Sequence, residues 1–187
     1  YHSFSFAHYM DPAHMGFRSL RVINQDRIAA GAGFPTHPHR DMEIFSYVLE
    51  GALSHKDSMG NARELHPGQI QLMSAGSGVT HSEFNPSKSN ALHMLQIWIQ
   101  PDALGLVPTY TEWHPDAGTK PSGKELVISP DGRDGSALIR QDAFVYRVLL
   151  PTGESVTHEL FENRALWLQA IKGSVRLNET VLHPGDG

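Results

Sequence analysis

Turn-forming residues divide this sequence into pieces too short for much besides strands. Seventeen glycines and 12 prolines are spread through 187 residues. They gather as punctuation at Glu50-Gly51, Met59-Gly60-Asn61, His66-Pro67-Gly68, Pro130-Asp131-Gly132, Pro151-Thr152-Gly153 and His183-Pro184-Gly185-Asp186. Between these marks lie runs of β-branched and aromatic residues at 43–49, 69–73, 143–150, 165–171 and 175–177. The stretch from Leu92 to Ile99 alternates Leu92, Met94, Gln96 and Trp98 on one face with His93, Leu95, Ile97 and Ile99 on the other. No segment sustains helical periodicity, so helix is expected to be minor. Short strands joined by tight turns imply an all-β sandwich or barrel.

The pattern occurs twice. Leu49-Glu50-Gly51 followed by Leu65-His66-Pro67-Gly68 is echoed by Ile171-Lys172-Gly173 followed by Leu182-His183-Pro184-Gly185. The echo predicts duplication of one β module, and so two consecutive antiparallel β-barrels of jelly-roll type. The first is expected over residues 1–100 and the second over 125–187. Residues 101–124 carry Pro101, Gly105, Pro108, Pro115, Gly118, Pro121 and Gly123 and read as the connection, with room for one turn of helix. The second copy stops at Pro184-Gly185-Asp186-Gly187, where the first runs on into residues 69–73. A barrel halted there leaves a sheet edge open, so the second unit is expected to be clipped at its end.

Composition narrows function by exclusion. Fifteen Lys plus Arg against 20 Asp plus Glu give a net charge of −5, which argues against a charge-driven grip on nucleic acid or anionic membrane. Cysteine is absent, which removes disulfides, thiolate zinc sites and thiol nucleophiles, and fits a cytoplasmic setting. No apolar run approaches the length of a membrane span. Histidine is the count that stands out, with 12 copies beside 15 Lys plus Arg.

The histidines that carry chemistry come in same-face pairs. His37 and His39 lie at i and i+2 in Thr36-His37-Pro38-His39, so on an extended strand both imidazoles project to one side. His81 and Glu83 repeat the arrangement in Thr80-His81-Ser82-Glu83. On adjacent strands the two pairs would assemble three neutral nitrogen donors and one carboxylate oxygen, a ligand set for a divalent transition metal with positions left for substrate. One ion per chain is expected: iron first, with nickel, copper, cobalt, manganese or zinc as alternatives. His55 and Asp57, again at i and i+2, read either as an orienting or substrate-contact pair or as a solvated hairpin. His66 and His183 precede Pro-Gly turns. His2, His8, His14, His93, His114 and His158 have no partner at ligand spacing. The second unit holds only His158 and His183 and is expected to be metal-free.

A family pattern overlies these residues. Gly31, His37-x-His39, Glu43 and Gly51 resemble the first motif of the cupin superfamily, and Gly68, Ser74-Ala75-Gly76, His81 and Asn85 resemble the second. The gaps from Glu43 to Gly51 and from Gly76 to His81 are longer than usual, and Ser74 replaces the usual proline. Those departures, together with Phe4-Ser5-Phe6, Asp11-Pro12, Gly16-Phe17, Leu20-Arg21-Val22-Ile23-Asn24 and His81-Ser82-Glu83, resemble the pirin family in its bacterial quercetinase-like branch. The likeness is specific as far as about Ile99 and looser beyond it. It implies a bicupin fold in a somewhat longer chain, so both ends are expected to be trimmed.

The resemblance also implies a role for each ligand. Ordinary cupins take the glutamate of the first motif, here Glu43, as fourth ligand. Pirins take the glutamate two after the third histidine, here Glu83, and Glu43 then becomes a supporting or purely structural acid. The implied activity is a metal-dependent dioxygenase that uses O2 to open the heterocycle of flavonols such as quercetin and releases carbon monoxide. Glu83 then serves as ligand or near-ligand and as general base. An alternative implied by other pirins is a metal-dependent regulator that binds a protein partner. A third reading, further off, is a cupin isomerase acting on a small sugar or keto acid.

Overall fold

The computed structural model describes residues 1–116 and 122–187. Residues 117–121 of the expected connection lie outside that set. The fold is all-β, and its one helical element among the described residues is a 3-10 turn at Arg133–Gly135. No helix there is long and apolar enough to cross a membrane.

Nine strands build the first half of the chain: β1 (Leu20–Ile28), β2 (Gly33–His39), β3 (Glu43–Glu50), β4 (Leu53–Asp57), β5 (Ala62–Leu65), β6 (Ile70–Ser74), β7 (Val79–Phe84), β8 (Leu92–Ile99) and β9 (Thr109–Trp113). They form two antiparallel sheets, one ordered β1-β8-β3-β6-β9 and the other β2-β7-β4-β5. Strand parity decides what each side chain meets. Toward the space between the sheets β3 sends Ile44, Ser46 and Val48, β6 sends Gln71 and Met73, and β8 sends Leu92, Met94, Gln96 and Trp98. Ile28, Val48, Leu53, Leu65, Leu92 and Met94 close one end of that space. Ile44, Met73, Ala75 and Val79 close the other. Each buried aliphatic chain contributes about 1.5–3 kcal/mol in transfer, which is how the barrel tolerates the polar layer between the two clusters.

The opposite face of the five-stranded sheet is also buried. Phe45, Ile70, Leu72, Ile99 and Trp113 pack there against Val127, Ile128, Ala137 and Ile139 of the chain's second half. That half contains β10 (Gly123–Ser129), β11 (Ala137–Leu138), β12 (Val145–Leu149), β13 (Val175–Leu177) and β14 (Thr180–Leu182), ordered β11-β10-β12 and β13-β14. The two-residue contact of β10 with β11 is parallel, and the other pairings are antiparallel.

Two local readings change. The stretch expected to be pure connection supplies β9, which pairs with β6 from Ser74–Thr109 to Ile70–Trp113 and holds no helix among its described residues. The run at 165–171 is extended but is no strand. Its ladder bonding is confined to Ala170 and the 185–186 turn, where Ala170 N–H donates to Asp186 O and Gly185 N–H donates to Ala170 O. One such pair of bonds does not make a sheet.

Candidate metal centre

β7 lies between β2 and β4. Register sets His37 and Asp57 opposite His81, and His55 opposite Glu83. The β2–β7 register slips between Phe34 and His37: Phe34 faces Glu83 while His37 faces His81, so β2 carries one extra residue. Such a bulge re-aims the side chains that follow it. Pro35 sits inside the bulge and has no N–H to leave unpaired. Gly33 permits the close approach of the strands, since a Cβ there would stand 2.2 Å from the Glu83 carbonyl oxygen.

The outcome is a triangle of imidazoles. Ring centroids are 4.5 Å apart for His37–His81, 4.7 Å for His37–His39 and 4.9 Å for His39–His81. One donor atom from each lies within 4.8 Å of the others. His37 Nδ1 is 2.7 Å from the Pro35 carbonyl oxygen, which can only accept, so in the neutral ring the lone pair is on Nε2. That nitrogen is 3.1 Å from His81 Nε2. His39 Nε2 is buried with no partner. Burial, reinforced by the neighbouring rings, pushes His39 down to about 4 and His81 to about 3, so both are neutral at pH 7. Three imidazoles crowded together, with buried nitrogens of His39 and His81 left unpartnered, fit a divalent transition metal.

Glu83 is fully buried. Its donor atoms group with those of His81 and His55, again within 4.8 Å, so the two trios share His81. Ser46 Oγ donates to Oε1 at 2.9 Å, Gln71 Nε2 to Oε1 at 2.6 Å, and Gln96 Nε2 to Oε2 at 2.8 Å. Burial nevertheless pushes its carboxyl up to about 7, the three donors only partly offsetting the desolvation. Glu43 is equally buried but faces away. Ser74 Oγ donates to its Oε2 at 2.6 Å, and the Arg140 backbone N–H donates to the same oxygen at 3.1 Å. Asp41, at φ 50°, ends the straight run from His39, so same-face spacing does not carry through to Glu43.

His55 and Asp57 are no solvated hairpin: both side chains are 0% exposed, with His55 Nε2 3.1 Å from Asp57 Oδ2. The carboxylate can only accept, so Nε2 bears the proton and Nδ1, which has no partner, bears the lone pair. Burial pushes His55 down against the pull of Asp57. Burial would raise Asp57, but hydrogen bonds from Asn61 and His55 outweigh it and hold its carboxyl below the usual range. His55 stacks on Tyr110 at 4.9 Å, and the one proton of the Tyr110 hydroxyl is shared between Glu112 Oε1 at 3.0 Å and Gln71 Oε1 at 3.3 Å. Of the remaining histidines, His2, His14, His93, His114 and His158 pair with Asn24, Asp11, Gln25, Glu112 and Lys124.

The centre opens on an aromatic rim. Trp98 lies 5.0 Å from the His39 ring and 5.4 Å from Phe6, and Met42 and Met59 pack beside it. An open cleft of about 470 Å³ passes His39, Arg40, Ser58 and Thr80. Sequence reasoning missed Ser46, Gln71 and Gln96 as the cradle of Glu83. The available signal was polarity out of place: each is a hydrogen-bonding residue on the inward face of an apolar strand.

Comparison with known proteins agrees with this architecture. The family model Pirin matches residues 1–99, and the Quercetinase C-terminal cupin domain matches residues 126–187. The chain is 50% identical over its whole length to the quercetin 2,3-dioxygenase of Escherichia coli, covering 80% of it. It is 41% identical to a pirin-like protein of Caulobacter vibrioides, again over the whole chain and 80% of the relative. The crystal structure of YhhW from Escherichia coli superposes with a TM-score of 0.95 at 49% identity, over 100% of this chain and 78% of that one. A structure of the bacterial pirin YhhW in complex with nickel(II) gives 0.94 at 48%, over 100% and 79%. With the Pirin model over residues 1–99, the C-terminal cupin model after it and 50% identity over the whole length of the chain, one assignment follows: the chain belongs to the pirin family.

Proposed function

We propose that this chain is a metal-dependent dioxygenase that opens the heterocycle of flavonols such as quercetin with O2. His37, His39, His81 and Glu83 would hold one divalent transition metal, iron first, in the unit spanning residues 1–100. Residues 125–187 belong to its metal-free companion, and within the joining stretch 101–124 β9 adds to the sheet of the first unit. The observation that carries the reading is the triangle of imidazoles beside a fully buried carboxyl. Bound there, such a metal supplies Lewis acidity toward the substrate's 3-hydroxyl and the redox partner that O2 needs.

The chain's own residues do the rest. Glu83 takes the proton of the 3-hydroxyl, and a carboxyl raised to about 7 is matched to that task near neutrality. Ser46, Gln71 and Gln96 hold its two oxygens in place for the transfer. Phe6, Trp98, Met42 and Met59 flank a flat aromatic ring and keep water from it. No residue serves as a covalent nucleophile.

The test is anaerobic addition of quercetin to metal-replete protein, followed by air. A shift of the flavonol's visible band before air, then O2 uptake with carbon monoxide release, is the expected result. A band shift with no product after air would leave a flavonol-binding module and end the enzyme reading.

A further inference from the structure

We propose that His55 is a positioning residue of the metal centre, its Nδ1 accepting the proton that His81 carries on its own Nδ1 once Nε2 is given to a cation. This rests on the reading above. Two orphans of opposite kind lie in one sealed space. His55 is fixed as an acceptor, because Asp57 Oδ2 takes its Nε2 proton at 3.1 Å and leaves Nδ1 bare and unpartnered. His81 Nδ1 is likewise buried and unpartnered. The rings are 5.4 Å apart between centroids, and donor atoms of His55, His81 and Glu83 lie within 4.8 Å of one another.

A neutral imidazole has one proton for two nitrogens. Without a cation, His81 can place it on Nε2 and donate to the bare Nε2 of His37 at 3.1 Å. A ligating Nε2 needs its lone pair, so the proton moves to Nδ1 and requires an acceptor there. Glu83 is also within reach, but in the reading above its remaining acceptor capacity, beside the bonds from Ser46, Gln71 and Gln96, is given to the cation and the substrate proton. His55 Nδ1 receives nothing. In the loaded protein Asp57, His55 and His81 would then be linked in series by hydrogen bonds, with the ligating Nε2 of His81 at the end. His37 shows the simpler version of the device, its Nδ1 held by the Pro35 carbonyl.

The experiment uses chelator-stripped protein titrated with Ni²⁺ against a competing chelator, in wild type, His55→Leu and His55→Gln. The leucine keeps the bulk and removes the acceptor. The glutamine offers an amide oxygen to His81 and an N–H to Asp57. Wild type is expected to take one equivalent, His55→Leu to bind about 10–100-fold more weakly, and His55→Gln to recover most of the loss. In wild-type protein loaded with Co²⁺, the paramagnetically shifted Nδ1–H resonance of His81 should exchange with deuterium far more slowly than that of His37. Equal affinity in His55→Leu would overturn the assignment, as would fast exchange of the His81 proton. So would His55→Gln binding as weakly as the leucine variant while its stripped form unfolds like wild type. A second equivalent that depends on His55 would make the trio a cation site and overturn it as well. Failure of wild type to bind Ni²⁺ is a separate outcome, since it removes the metal reading itself and this assignment with it.

Discussion

Glu43 and Glu83 are matched in nearly every local respect and do different things. Both are buried, at 1% and 0% exposure. Each accepts a serine hydroxyl, from Ser74 and Ser46 respectively, and burial raises the pKa of both. They lie on opposite sides of the five-stranded sheet. Glu43 shares the face of β3 that carries Phe45 and meets the second half of the chain, where it takes the Arg140 N–H. Glu83 projects from β7 into the barrel, where Ser46 from the other face of β3 meets it. The difference teaches that strand parity, which a one-residue slip inverts, decides whether a carboxyl joins the imidazoles or ties two units together.

The largest effect expected on the interior side follows His81→Ala. His81 is the one residue common to both trios, so its loss should abolish stoichiometric metal retention and turnover together. Metal content after gel filtration and O2 uptake with quercetin check this, and retention near one equivalent would remove His81 from the ligand set. Glu83→Gln comes next. It keeps the size and an oxygen but cannot take a proton at neutral pH, so turnover should fall by about 10²–10⁴ with most of the metal kept on three imidazoles. Near-normal O2 uptake by the metal-replete variant would refute the base assignment.

Much of this contrast was legible in the sequence, and the part that was not has a physical cause. Period-two alternation placed Leu92, Met94, Gln96 and Trp98 on one face, and the structure turns that face inward. The pairs His37/His39 and His81/Glu83 were legible because i and i+2 fall on one side of any strand. Spacing alone could not exclude Glu43, because the left-handed turn at Asp41 and the bulge before His37 are backbone events that composition does not announce. β9 was hidden for another reason. Thr109-Tyr110-Thr111-Glu112-Trp113 alternates well enough, but prolines and glycines crowd both sides of it, and its ladder comes from β6. Conversely, residues 165–171 have strand composition and lack a ladder.

On the seam side the expected effects are smaller and fall on stability. Glu43→Ala leaves the buried Ser74 hydroxyl and the part-buried Arg140 N–H without their acceptor, a cost of about 1–3 kcal/mol. Denaturant unfolding should show that loss, while metal content and turnover per folded molecule stay at the wild-type level. Loss of metal in this variant would break the comparison, because it would make Glu43 a ligand as in ordinary cupins.

Glu43→Gln gives the smallest effect and the sharpest sign. The amide oxygen, standing where Oε2 stands, can still accept from both the Arg140 N–H and the Ser74 hydroxyl. The direct change in stability should therefore be about 1 kcal/mol or less. Its pH dependence is informative. Burial raises the pKa of Glu43 in the folded state, against the pull of its bonds from Ser74 and Arg140. A group raised on folding contributes stability that is fully present below its unfolded pKa and is lost as pH climbs through the folded value. Glutamine is neutral throughout and has no such loss. Relative to wild type, the variant should gain stability as pH climbs above about 4, where the unfolded carboxyl ionises, and the gain should level off once the raised carboxyl of the folded state has ionised as well. Thermal unfolding of both chains across that rise in pH reads the difference directly, and every other titrating group cancels in the subtraction. A difference that is flat, or that moves toward wild type as pH rises, would mean that the charged form is the one stabilised at the seam, and the likeness between Glu43 and Glu83 would then end at their serines.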